Sequence, residues 1–370
     1  MSKKTPWIIV IVVVLIIAGL IVYIKSREPI SMNGPIKIAA LFNLTGDAAA
    51  WGENAQKAVQ LATDEVNKSG GINGRQVEVL YEDTAADPKK AVSAFQQAVS
   101  VERVTAVMGP LNQSEDAAVL PLIDQTHTPT IIPGYLPLQD RTDLSNPLII
   151  WMDAQTEAAR IAQYVYAQGI HTVAVIGTLD AWESTVSKAF ADAFVTAGGT
   201  VTDTEIVQPT SADMRLPVTR AVASKPQGIF IGTYYQFIHS TQVLHDLGYK
   251  GKLFSIEVDD YLAGETSGSS DGLQFIAPDY YSQAFIKKFT DAYGQAPGLP
   301  AGQSYDAAQI LFSFLQKGAG QESILSSMKS FTGYEGVSGQ LTIGSDGRTT
   351  LPTALFEVDK GKVNRIQSLP

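Results

Sequence analysis

There is no cysteine among the 370 residues, which excludes disulfides, thiolate nucleophiles, Cys-ligated zinc and a lipid-modified cysteine anchor. Cations are short as well: 27 Lys and Arg face 37 Asp and Glu, for a formal net charge of −10. Lys3, Lys4, Lys25 and Arg27 crowd the N-terminus, so the remainder is more acidic still. A nucleic-acid partner, which needs a basic face to neutralise phosphates, is not expected. Catalytic signatures are missing too. The chain has no Walker loop, no H-E-x-x-H and no G-x-S-x-G. Its glycine cluster, Gly70-Gly71-Ile72-Asn73-Gly74, follows a helical pattern where a dinucleotide fingerprint would follow a strand, so it reads as a turn. The nearest two histidines, His239 and His245, are six positions apart, unlike the i, i+4 pairs of metal sites. No metal, no cofactor and no enzymatic activity are expected.

Long apolar runs are also scarce, with one exception. Thr5 to Ile24 carries no charge over twenty residues, and a helix of that length spans about 30 Å, the thickness of a bilayer core. The alternative is a cleaved signal peptide. The run is long for one, and Val22-Tyr23-Ile24-Lys25-Ser26-Arg27 lacks an A-x-A-like cleavage site, which favours a retained single-pass anchor. Lys3 and Lys4 on one side balance Lys25 and Arg27 on the other, so charge alone orients the span weakly. Lys25 to Pro35 is then a tether reaching at most about 36 Å.

What is present is an alternation of strand and helix. Ile36, Ile38 and Ala40, with Ala39 and Leu41 between them, form a buried strand that breaks at Asn43-Leu44-Thr45-Gly46-Asp47. Ala55, Ala58, Val59, Ala62 and Val66 then recur at helical spacing until Gly70-Gly71. Gln76–Tyr81 is a second strand, and Asp87-Pro88 opens a helix with Ala91, Ala94, Phe95, Ala98 and Val99 on one face. Strands follow at Val104–Met108, Thr130–Ile132, Thr172–Ile176, Thr200–Val207, Gly228–Ile231 and Lys252–Ile256, with helices between them. Leu341–Ile343 and Ala354–Val358, separated by Asp346-Gly347, read as a closing antiparallel pair. This is an α/β chain with enough apolar residues for two globular lobes.

Glu65-Val66-Asn67 with Gly70-Gly71-Ile72-Asn73-Gly74-Arg75, Glu82-Asp83-Thr84, Asp87-Pro88-Lys89-Lys90-Ala91, Tyr305-Asp306-Ala307 and Gly339-Gln340-Leu341-Thr342 … Asp346-Gly347-Arg348 resembles the type I periplasmic binding proteins of the leucine/isoleucine/valine-binding group. The resemblance runs from about Pro35 to the C-terminus. It implies two doubly wound parallel-sheet lobes joined by a hinge, preceded here by one transmembrane helix. The expected division is 1–34 as anchor and tether, 35–153 plus 278–337 as the first lobe, and 154–277 plus 338–370 as the second. Crossings between lobes are expected near Trp151, Ala277 and Ser338.

Open α/β sheets place ligands at strand ends, and the polar and aromatic residues there are the candidate site. The resemblance gives Trp51 the place of an aromatic that covers a bound amino acid's side chain, against packing on its own lobe. Asn112, Gln113 and Ser114 lie where a strand feeds a helix N-terminus and either hold a carboxylate on free N–H groups or simply cap. Tyr234 and Tyr235 match an aromatic position near the ligand's ammonium, where cation–π attraction acts; the alternative is partly buried packing. Glu257 matches an ammonium-binding glutamate, the alternative being a solvated acid in a run with Asp259 and Asp260. Gly134 and Tyr135 follow the fourth strand. With Leu136 they stand where branched-chain binders of this family carry a small residue and a threonine, which leaves ligand identity open. The implied role is a membrane-tethered, extracytoplasmic solute-binding protein that passes a small polar ligand, an amino acid or relative, to an ABC permease. A sensory ectodomain of the same fold, acting with a signalling partner, is the alternative.

Overall fold

The computed structural model describes residues 34–369 apart from positions 47, 137–142, 212, 280 and 346. The expected anchor at Thr5–Ile24 lies outside them, and among the described residues no helix is long and apolar enough to cross a membrane. The chain opens with β1 (Ile36–Phe42), α1 (Ala49–Lys68), β2 (Val77–Asp83), α2 (Pro88–Ser100), β3 (Ala106–Met108), α3 (Gln113–Thr126), β4 (Thr130–Ile132) and β5 (Leu148–Ile149). These strands make a parallel sheet of order β2-β1-β3-β4-β5. Side chains of β1 alternate between two cores, because a strand's period is two. Ile36, Ile38, Ala40 and Phe42 meet Ala55, Ala58, Val59 and Ala62 of α1, whereas Ala39 and Leu41 meet Phe95 of α2 and Val119 of α3. A strand apolar on both faces belongs in a sheet covered on both sides.

Next come α4 (Ala154–Ala167), β6 (Thr172–Thr178), α5 (Ala181–Thr196), β7 (Thr200–Val207), α6 (Arg215–Ala223), β8 (Gly228–Gly232), α7 (Phe237–Asp246), β9 (Lys252–Ile256), α8 (Asp260–Glu265) and β10 (Gln274–Pro278). The chain then runs through α9 (Gln283–Tyr293), α10 (Ala301–Lys317), α11 (Gln321–Lys329), β11 (Gly333–Gly336), β12 (Gly339–Ile343), β13 (Thr349–Thr350), β14 (Thr353–Asp359) and β15 (Lys362–Leu369). The second sheet has the order β15-β14-β10-β9-β8-β6-β7, parallel except for the antiparallel pairings that β14 makes with β10 and β15. Phe190 of α5 stacks on Phe230 of β8 with ring centroids 3.8 Å apart and lies 5.8 Å from Phe194, fixing one helical layer to this sheet. Helices α9, α10 and α11 return to the first sheet, where Phe285, Leu311 and Ile324 join the core of β1 and α1.

The expected pairing of Leu341–Ile343 with Ala354–Val358 does not form. Strand β12 pairs with β11 and β13 in a small antiparallel sheet, and β14 pairs with β10 and β15. Two local causes separate them. The carboxylate of Asp306, on α10, accepts the N–H groups of Val337 (2.8 Å) and Ser338 (2.9 Å), which fixes the β11–β12 turn. Lys360 and Gly361, with φ of 52° and 68°, make the tight hairpin turn that brings β15 onto β14. Ser338 therefore sits in a turn and not at a crossing between sheets. The chain leaves the first sheet after β5, leaves the second after β10, and re-enters it at β14. These passages are tied by hydrogen bonds: Thr349 Oγ1 to Ile149 O (2.8 Å), Arg160 Nη1 to Thr353 Oγ1 (2.9 Å) and Asp279 N to Pro352 O (2.9 Å).

Candidate functional site

The strand ends of both sheets line a cleft of about 940 Å³, a figure that includes space continuous with solvent. All nine residues singled out from the sequence line it: Trp51, Asn112, Gln113, Ser114, Gly134, Tyr135, Tyr234, Tyr235 and Glu257. Trp151, Asp180, Trp182, Glu183 and Thr233, which sequence reasoning did not single out, line it too. The chain has four tryptophans and three of them are here, so the walls are aromatic. Among the described residues, Asp180, Glu183 and Glu257 give the lining three acids, and no Lys, Arg or His lines it.

On the first sheet's side, the indole of Trp51 lies 5.5 Å from that of Trp151, tilted by 49°. Its buried N–H meets no acceptor among the described residues. Asn112 occupies the position before α3, but its side chain makes no capping hydrogen bond to that helix. Its backbone carbonyl accepts from Glu115 N (3.0 Å) and Asp116 N (2.9 Å). The helix terminus thus meets the cleft uncapped, and the partial positive charge of its N–H groups favours an anion there. Two acids in its first turn would oppose this. Both are buried, and desolvation pushes Glu115 up to about 7 and Asp116 well above the usual carboxylate range, so they carry less negative charge. Gly134 allows the two loops to touch: a Cβ there would stand 2.7 Å from the carbonyl oxygen of Leu111. Tyr135 is buried and packs with Leu136 and Trp151.

On the second sheet's side, Asp180 Oδ1 accepts from Trp182 N (3.0 Å) and Glu183 N (3.2 Å) and so starts α5. Glu183 is buried; its Oε1 accepts from the backbone N–H groups of Tyr234 (2.7 Å) and Tyr235 (3.2 Å), and its Oε2 accepts from Thr178 Oγ1. This acid holds the tyrosine pair in place. The two rings meet edge-on at 6.3 Å, Tyr234 partly packed and Tyr235 42% exposed. Burial raises the Tyr234 hydroxyl above the usual phenol range. Glu257 is not a solvated acid. It is 7% exposed, and its Oε1 accepts from Trp151 Nε1 at 2.8 Å. Its φ of 52° is left-handed, an uncommon conformation for a residue with a side chain and one that clusters at functional sites. The backbone N–H, donated to Ile276 O at 2.8 Å, pins it to β10. Desolvation pushes its carboxyl up to about 7 although Glu157 and Trp151 supply hydrogen bonds that lower it.

A single stretch of sequence could have revealed part of what was missed. Asp180-Ala181-Trp182-Glu183 follows β6 as Asn112-Gln113-Ser114 follows β3, with a polar cap residue where a strand meets a helix.

The profile of the family described as periplasmic binding protein matches residues 35–362. The Leu/Ile/Val-binding protein BraC3 of Rhizobium johnstonii is 24% identical over 345 residues, which cover 90% of this chain and 94% of the relative. Among solved structures, the branched-chain amino acid transporter substrate binding protein LivJ of Streptococcus pneumoniae, in complex with isoleucine, matches with a TM-score of 0.80 and 21% identity, covering 90% of this chain and 99% of that one. An ABC transporter solute binding protein of R. palustris in complex with benzoate matches with a TM-score of 0.79 and 17% identity, covering 91% and 97%. These two likenesses show the fold. The family profile spans nearly all of the described residues, and with it the chain belongs to the periplasmic binding proteins.

Proposed function

We propose that this chain is an extracytoplasmic solute-binding protein that holds an α-amino acid, or a close zwitterionic relative, between two lobes and presents it to an ABC permease. One observation carries the choice of ligand: among the described residues the cleft is lined by aromatics and acids with no basic side chain, and it faces the uncapped N-terminus of α3. An ammonium fits Glu257 and the tyrosine rings. A carboxylate fits the free N–H groups of α3. An apolar side chain fits Trp51, Trp151 and Trp182. In this reading the first lobe comprises residues 36–153 and 278–351, keeping β12 with the core that takes Leu341 and Leu351; the second comprises 154–277 and 352–369. Rotation at the three passages between sheets closes them.

Calorimetry with L-isoleucine, L-leucine, L-valine, L-phenylalanine and benzoate checks the ligand class. At least one amino acid should bind, benzoate should not, and the bound protein should show a smaller radius of gyration by solution scattering. Binding of benzoate with no amino acid bound would reverse the assignment of charge in the cleft.

Membrane tethering rests on the uncharged run Thr5 to Ile24. The full-length chain is expected to stay with membranes through carbonate washing. A soluble mature chain beginning near Ser26 would contradict it.

A further inference from the structure

Behind Glu257 lies a second acid that no part of the binding scheme uses. Glu157, one turn into α4, is 0% exposed. No N–H or O–H donor among the described residues reaches either of its oxygens. What it meets is the carboxyl of Glu257, within hydrogen-bonding range. Two carboxylates in contact and away from water cannot both ionise, whereas a pair with one proton makes a strong charge-assisted O–H···O bond. We propose that Glu157 is a positioning residue of the cleft: it shares one proton with Glu257 and so presents a single carboxylate, with a single negative charge, to an ammonium group in the cleft. The inference rests on the amino acid reading for its ligand, but the shared proton exists without one.

Surrounding charges allow this. Arg160 on α4 favours the ionised form of the pair and Asp153, at the helix cap, opposes it. Each is also engaged elsewhere: Arg160 Nη1 donates to Thr353 Oγ1 (2.9 Å), and Asp153 Oδ2 accepts from Arg348 Nη1 (3.1 Å) and Thr156 N (2.9 Å). From the segment before α9, Tyr281 is near enough for its charge state to couple to Glu257, while its hydroxyl donates to Gln303 Oε1 (2.9 Å). Burial and Glu257 together push Glu157 well above the usual carboxylate range, while Glu257 rises to about 7. Glu257 accepts Trp151 N–H, which favours its ionised form, whereas Glu157 has no such donor among the described residues, so the shared proton sits on Glu157 and is donated to Glu257. An ammonium favours ionised Glu257, so binding lowers the pKa of that group. Below about pH 7 binding then releases a proton, and affinity falls toward tenfold per pH unit as acidity increases.

The test has a ligand-free arm and a binding arm, both on the full chain. By infrared spectroscopy at pH 8, the difference between wild type and Glu157→Gln is expected to show the loss of one protonated-carboxyl band, with the contribution of Asp116 unchanged. An unchanged band overturns the shared proton. Indole fluorescence between pH 5 and 9 is expected to titrate once near neutrality, through Trp151, and to lose that transition in Glu257→Gln. In Glu157→Gln, whose amide N–H replaces the O–H donor, the midpoint should stay within about half a unit. In Glu157→Leu, which has no donor, it should rise by about a unit or more. A wild-type midpoint in a folded Glu157→Leu reduces Glu157 to filling space and overturns the proposal. For binding, L-isoleucine is titrated by calorimetry at pH 6 in buffers of different ionisation enthalpy, with release approaching one proton expected. Binding without release overturns the linkage. If the ligand-free arm holds and isoleucine does not bind at any pH, the ligand assignment fails and the pair stands.

Discussion

Glu257→Gln is expected to weaken binding of an ammonium-bearing ligand by about 1.5–3 kcal/mol, roughly ten- to over a hundred-fold. The substitution keeps the shape of the side chain, and its carbonyl oxygen can still accept from Trp151 Nε1, which the carboxylate binds at 2.8 Å. It removes the one negative charge placed to pair with the ligand's ammonium, and hydrogen bonds to charged groups are about twice as strong as neutral ones. Because no basic residue is among the described residues of the lining, the substitution leaves no cation among them unpaired, so the loss should appear in affinity and leave folding intact. Calorimetry at pH 8, where wild-type Glu257 is mostly ionised, reads it against an unchanged melting curve. Equal affinities for wild type and variant would place the ammonium elsewhere.

Phe190→Ala should cost about 3–5 kcal/mol of stability, lowering Tm by roughly 6–20 °C. Phe190 is fully buried between Phe194 on its own helix and Phe230 of β8, the latter stacked at 3.8 Å. The space left is bordered by rigid rings and a central strand, so collapse around it is limited, and cavity cost adds to lost burial. Circular dichroism melting checks it. A loss under about 1 kcal/mol would mean that the helix–sheet layer relaxes into the space, contrary to the close packing described.

The opening unit was legible because its patterns are local. Ile36, Ile38 and Ala40 alternate, Ala55 to Ala62 recur at helical spacing, and each period points at one core. The lining of the cleft was legible for a topological reason: in parallel sheets the loops at strand ends converge, so polar and aromatic residues there are site candidates wherever the lobes come to lie. The small sheet was not legible. Its register depends on Asp306, 31 and 32 positions before the N–H groups it accepts, and two of its strands have four and two residues. Strand β15 was hidden by its composition, since Asn364, Arg365 and Gln367 sit exposed on a sheet edge and break any apolar alternation. Lys360-Gly361 was its one local signal. Glu157 and Trp151 gave none, because what they do is defined by Glu257, which stands 106 positions beyond the indole that binds it.

Helix α1 has a consequence for how the chain is made. Ala55, Ala58, Val59 and Ala62 bury against Ala307, Ala308, Leu311 and Leu315 of α10, and Asn54 Nδ2 donates to Leu299 O at 3.4 Å across 245 positions. At ribosomal speeds of about 5–20 residues per second, α10 follows α1 by roughly 12–50 s. For that interval α1 presents a greasy stripe with no partner, a target for chaperones and a risk for aggregation. A segment made early is thus among the last to find its place, and stalled or truncated chains ending before residue 300 should be poorly soluble, however well their strands are formed.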